Sequence, residues 1–166
     1  MVHQPLEKHE VAERLKERIY VTFTALAVVL ALASHGHPTA IRSLATLVVA
    51  VIATLLAVFT AELLARMTVN ERLLSRDEMR HILGVSVGAI GAITLPAIFL
   101  LISALGGWST DAALRASAFA LVAALAVNGY VAVRRARLPA WQRAVALLAE
   151  AVLGLAVIGL EILVHR

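Results

Sequence analysis

The sequence predicts an all-α, polytopic integral membrane protein with five transmembrane helices. Apolar residues make up 61% of the chain and charged residues only 16%, where soluble domains carry about a quarter charged, and the mean hydropathy is +0.88. Several uninterrupted apolar runs approach the ~20 residues that a helix needs to cross a ~30 Å hydrocarbon core. The strict alternation of a membrane barrel strand is missing from these runs. Helices are then the structure that satisfies every backbone amide in lipid.

Residues 1–18 are expected to form a charged cytoplasmic extension of the first helix. Val11, Leu15 and Ile19 recur at every fourth position, while Glu7, Glu10, Glu13, Arg14, Lys16, Glu17 and Arg18 cover the remaining faces. Glu10 precedes Arg14 in the favourable acid-first order. No breaker separates this stretch from the apolar run Ile19 to Ser34, so one rod projects from the membrane, solvated except for an apolar edge. Docking of a protein partner is the other use of that surface.

Span one, about 19–34, closes at Ser34-His35-Gly36-His37-Pro38, where glycine and proline end a helix. His35 and His37 would supply half of a metal site. Solvated loop histidines are the plainer expectation, because no acid or third histidine adjoins them. Span two, about 41–66, sets Thr46, Ala50, Ala53, Ala57 and Thr60 at steps of four and three, a face for close helix packing. Glu62 lies near its end with Arg66 one turn on. An interfacial ion pair, with the arginine reaching toward headgroups, competes there with an inward functional acid.

Ser75 and Glu78 form a capping box that starts the third helix after a short turn or helix. Span three, about 82–105, carries Gly84, Gly88 and Gly91 at steps of four and three, a pattern that lets another backbone approach closely. Pro96 has no amide donor and frees the Ala92 carbonyl, which predicts a kink in the outer half. The connection from Gly106 to Asp111 supplies flexibility, an interfacial Trp108 and N-cap candidates. In span four, about 112–133, Arg115 is within reach of headgroups or of an acid such as Glu161. Asn128 shares a face with Ser117, Leu121 and Ala124, where an amide bonds a neighbouring helix or serves as a ligand. Pro139 falls in the first turn of the last helix, about 141–164, with Trp141 at the water–lipid boundary.

The last helix is the apolar segment that holds two acids within it. Glu150 and Glu161 are eleven residues apart, so they point the same way to within about 20° and sit roughly 16 Å apart along the axis. Gly154 and Val157 lie between them. A carboxylate costs a few kcal/mol or more in lipid unless it faces protein or water, so this stripe is expected to look inward.

Basic residues set the orientation. The first, third and fifth polar segments together hold twelve arginines and lysines, and the other set holds Arg42, Arg115 and Arg166. The positive-inside rule then gives a cytoplasmic N-terminus and an external C-terminus. Glu62, Asn128 and Glu150 all fall in the cytoplasmic half. The net charge of +4 and pI near 10.3 come from these helix-end residues, and nucleic-acid binding is not expected. Arginine outnumbers lysine thirteen to two, the usage of a GC-rich genome, and a bacterial cytoplasmic membrane is the expected location. No removable signal peptide is read at the N-terminus.

The leading functional expectation is a small channel or transporter passing protons or small cations along a polar path through Glu150, Glu161, Glu62 and Asn128. The alternative is a non-transporting scaffold or accessory subunit that binds a protein through residues 1–18 or anionic lipid. An enzyme is not expected: cysteine is absent, and H-E-x-x-H does not occur. No cofactor is predicted. Five helices are thin for enclosing a pathway, so a homo-oligomer, with a dimer favoured, is expected.

Overall fold

The computed structural model describes residues 3–34, 38–70 and 75–135, together with Trp141 and Leu148. Among the described residues every element is helical: α1 His3–Ser34, α2 Ala40–Asn70, α3 Arg76–Ala89, a 3-10 turn Ile90–Ile93, α4 Thr94–Ala104 and α5 Thr110–Arg135. Four stretches are long and apolar enough to cross a membrane: Ala12–Ser34, Ala40–Thr68, Val87–Ala104 and Thr110–Ala132. The chain therefore has the helices of a multi-pass membrane protein. Apart from Trp141 and Leu148, the fifth expected span lies outside the described residues.

Helix α1 is the hub. It packs against α2, α3, the 3-10 turn and α5, while α4 lies against α2 and α5. Its row Val21, Ala25 and Val29, with Leu26 beside it, is fully buried against Leu47 and Val51 of α2 and Leu114 and Leu121 of α5. These residues recur at steps of three, four or seven, so each helix turns one branched stripe inward. α1 and α2 run antiparallel in a single register. Thr54 Oγ1 donates to Thr24 Oγ1 at 3.3 Å near mid-span, and Arg66 reaches Glu13 nearer the ends.

Among the described residues the small-residue stripe of α2 is not the face that packs inward. Thr46, Ala53, Ala57 and Thr60 are exposed and Ala50 is half-buried, whereas Leu47, Val51 and Leu55, one position over, make the interior contact. The branched side chains fill more volume and gain more dispersion contact per turn than alanine. Thr46 and Thr60 instead satisfy their hydroxyls on their own helix, at Arg42 O and Leu56 O. The glycine face of α3 is open in the same way. Gly84, Gly88 and Gly91 are exposed, and nothing lies within 4 Å of the Cβ position at any of them.

Span three is broken, and the break precedes Pro96. α3 begins directly after Ser75, as the capping box predicts, and Met79 N–H donates to Ser75 O. Its helix tightens into the 3-10 turn at Ile90 and restarts at Thr94, with Ile93 at φ −98°, ψ 2° as the N-cap. The proline ring clashes with the carbonyl four residues back and removes the bond that would reach it, so the distortion falls on the preceding turn. Pro96 itself is buried at the start of α4.

α4 ends in a Schellman motif. Gly107 N–H donates to Ile102 O and Gly106 N–H to Ser103 O, with Gly106 at φ 84°. Trp108 folds back over this end. Its Nε1–H donates to Phe99 O at 3.0 Å, and its ring meets Phe99 edge-on at 5.6 Å between centroids. Ser109 then caps α5, accepting from Ala112 N–H on its Oγ and from Ala113 N–H on its carbonyl.

Candidate functional site at the charged end of the bundle

Most described cations gather at one end. Arg14, Lys16, Arg18, Arg66, Arg76, Arg80 and Arg134 lie toward the N-terminal ends of α1 and α3 and the C-terminal ends of α2 and α5, while Arg42 and Arg115 lie toward the other end. A network of carboxylates and cations ties α1 to α2 there. Arg66 stands at its centre: Nε donates to Glu62 Oε1 and Nη2 to Glu13 Oε1, both at 2.7 Å. Lys16 Nζ is 3.8 Å from Glu62 Oε2.

The two helices position these groups in different ways. Glu62 and Arg66 are one turn apart on α2, in the acid-first order that brings side chains together along a helix. Glu13 and Lys16 are one turn apart on α1 and meet that pair through the antiparallel register. The planar guanidinium forks to two carboxylates at once, which an ammonium in its place would not do with the same geometry. Burial is intermediate: side-chain exposure is 15% for Glu13, 23% for Glu62 and 26% for Arg66.

Glu17 extends the network inward. It lies one turn beyond Glu13 and is only 4% exposed, continuing the fully buried row of Val21, Ala25 and Val29. Arg14, Lys16 and Arg18 of the same stretch are exposed, so the burial is confined to the face that carries Glu17. α1 is enclosed by α2, α3 and α5, and Glu17 falls within the enclosed part. The periodic signal is present in the four-residue steps from Glu17 to Val29. Its charge made it read as surface.

The other expected site residues divide between places described and not described. Glu62 takes the ion-paired role, held by Arg66 and Lys16. Asn128 is half-buried on α5, and Ser117 and Leu121 of its face are fully buried. Glu150 and Glu161 lie outside the described residues, as do His35 and His37. Among the described residues no group of three metal-ligating side chains occurs.

Away from the charged end the interior is mostly apolar. Thr22, Ser43 and Ser117 are fully buried, and each donates its hydroxyl to a carbonyl four residues back on its own chain, at 2.6, 3.1 and 2.7 Å. Leu26, Leu47, Leu100, Leu114 and Leu121 fill the space around them. The fold and this cluster define a class: an all-helical, multi-pass membrane bundle with a carboxylate-rich network at one end. Comparison with models of protein families, with curated proteins and with solved structures finds no match.

Proposed function

We propose that the protein passes protons or small cations across the membrane, with Glu17 as the carboxylate on the cytoplasmic side and Glu150 and Glu161 of the last helix as successive sites. The single observation that supports this is Glu17, a carboxylic acid buried to 4% exposure inside a stretch apolar enough to span lipid. Such a group is costly to keep and is retained where it exchanges a proton or replaces the water shell of an ion. The Glu13, Glu62, Arg66 and Lys16 network lies between Glu17 and the charged end, so it forms the approach. The concentration of cations there supports an orientation with the N-terminus cytoplasmic and, if the last helix also crosses, the C-terminus external.

Reconstituted vesicles test the proposal. The wild-type protein should collapse an imposed pH or cation gradient, and Glu17→Gln and Glu150→Gln should each abolish that flux. No flux in the wild type, or unchanged flux in both variants, would overturn it.

A second reading is a scaffold or accessory subunit. The fully buried hydroxyls Thr22, Ser43 and Ser117 bond carbonyls of their own chain four residues back, and the exposed small-residue faces of α2 and α3 suit association with another copy or another protein. Recovery of one stoichiometric partner, lost when residues 1–18 are deleted, would favour it.

A further inference from the structure

We propose that α3 is a hinged gate over Glu17: it pivots at Ile90–Ile93 and opens the seam that holds this acid toward the charged end, while α4 stays fixed. The inference rests on the reading of Glu17 as a working carboxylate, and its test reads motion and access rather than flux.

Span three changes partners at its break. Before the break α3 lies against α1 and α2, after it α4 lies against α5 and α2, and the 3-10 turn between them touches both α1 and α5. The two halves therefore belong to different parts of the bundle. α4 is anchored along its length by buried Pro96, Leu100 and Ser103, and at its end by Trp108 on Phe99 O and by Ser103 Oγ, 3.5 Å from Thr110 Oγ1 of α5. α3 is held more lightly. Among its described residues Ala89 alone joins the buried core, and an alanine makes few dispersion contacts, while Leu83, Gly84, Val87 and Gly88 are exposed.

The turn between the halves has the properties of a hinge. Thr94 N–H donates to Gly91 O, a 3-10 bond of poorer geometry than the α-helical one. Gly91 is exposed and nothing lies within 4 Å of its Cβ position, so its dihedrals can change without displacing a neighbour. Pro96 keeps the break in place by denying the Ala92 carbonyl its donor. A hinge takes up a large rotation over a few such residues.

Glu17 lies where the moving half closes. Glu13 and Thr24 both hydrogen-bond to α2 and so mark the side of α1 that faces it; eleven residues apart, they agree to within about 20°. Glu17 is about 40° around from Glu13, and Val21 and Ala25 carry the same rotation on into the buried core. Lys16 and Tyr20, around in the opposite sense, are exposed. Span three touches both α2 and α5, so it fills the angle between them on the buried side of α1, and toward the charged end that half of it is α3. The acid thus sits in the seam between α2 and α3.

The chain contains no cysteine, so introduced cysteines report on the full-length protein in membranes. Spin labels at Arg80→Cys on α3 and Leu64→Cys on α2 read the gate, and labels at Leu101→Cys on α4 and Phe119→Cys on α5 read the fixed half. Arg80 is about 15 Å from the turn, so a swing of about 20° spreads the first distance by about 5 Å. The second distance should stay narrow. Glu17→Cys should react with a water-soluble maleimide, and Gly91→Ala with Pro96→Ala, which straighten the hinge, should narrow the first distance and slow that reaction several-fold. A first distance as narrow as the second, or a Glu17→Cys rate unchanged by straightening, would overturn the gate. Where the double variant disturbs the Leu101–Phe119 distance, Gly91→Ala alone supplies the same two readings, since its methyl enters open space. A moving α3 without flux in the wild type would sink transport and leave the gate; flux with a rigid α3 would do the reverse.

Discussion

Arg66 Nη2 donates to Glu13 Oε1 at 2.7 Å across the α1–α2 interface, while its Nε holds Glu62 at the same distance on its own helix. One guanidinium therefore serves two carboxylates. Arg66→Ala leaves Glu13 and Glu62 facing each other, and removing one partner of an enclosed pair costs more than the pair contributes. Because Arg66 is about a quarter exposed, the expected loss is about 1–3 kcal/mol, below that of a fully buried pair. Denaturant unfolding in mild detergent measures it. Glu13→Gln in the Arg66→Ala background should add little, because the coupling has already gone.

The interior stripe, rather than overall hydrophobicity, should govern stability. Leu121 and Leu26 are fully buried, whereas Leu56 of α2 is 60% exposed. Leu121→Ala and Leu26→Ala are each expected to cost about 2–4 kcal/mol through the cavity left behind, and Leu56→Ala under about 1 kcal/mol. Equal losses at all three positions, in the same unfolding assay, would contradict the inward placement of these stripes.

The end of α4 depends on two glycines for different reasons. Gly106 has φ 84°, where a side chain is strained, and Gly106→Ala is expected to cost about 1 kcal/mol. At Gly107 a Cβ would come 2.6 Å from Ile102 Cγ2 and 3.1 Å from Ile102 O. Gly107→Ala must therefore displace the turn that lets Trp108 reach Phe99 O. The Trp108 fluorescence maximum should shift to the red in Gly107→Ala and stay in place in Gly106→Ser.

These turns were legible in the sequence because glycine, proline and capping residues act through the local backbone. Ser75 starts α3, Ser109 starts α5 and Gly106 stops α4 without help from distant contacts. The faces of α2 were not legible. Its small-residue row and its branched row are both apolar and both periodic, and only the shape of the neighbours decides which one is buried. Glu17 misled for a different reason: charge is the usual mark of a solvated face, yet its helical phase is that of Val21 and Val29. The kink was foreseen in kind and displaced in position. Proline disturbs the turn before it, so the break lies at Ile90–Ile93.

That displacement is testable. Pro96→Ala restores an amide donor to α4 and removes the clash with the preceding carbonyl, so the 3-10 turn should relax toward a continuous α-helix through Gly91 and Ile93. Amide hydrogen exchange over residues 92–97 should slow in the variant. Exchange there that matches the wild type would mean that packing of Ile93 and Pro96 against the bundle, and not the proline ring, holds the break.

Glu17 separates a structural acid from a transporting one. Glu17→Gln keeps nearly the same volume and a hydrogen-bonding head, so the bundle should fold and its melting temperature should move by no more than about 3 °C. What disappears is a group able to release and rebind a proton or to coordinate a cation by charge. Flux in vesicles should therefore fall by about tenfold or more while the fold persists. Glu17→Asp shortens the arm by one methylene but keeps the charge, and it should recover part of the flux despite leaving a larger void. A purely structural acid gives the reverse order, with Gln tolerated in every assay and Asp the more disruptive of the two. The Gln and Asp variants, compared for flux and melting temperature in one preparation, decide between these outcomes.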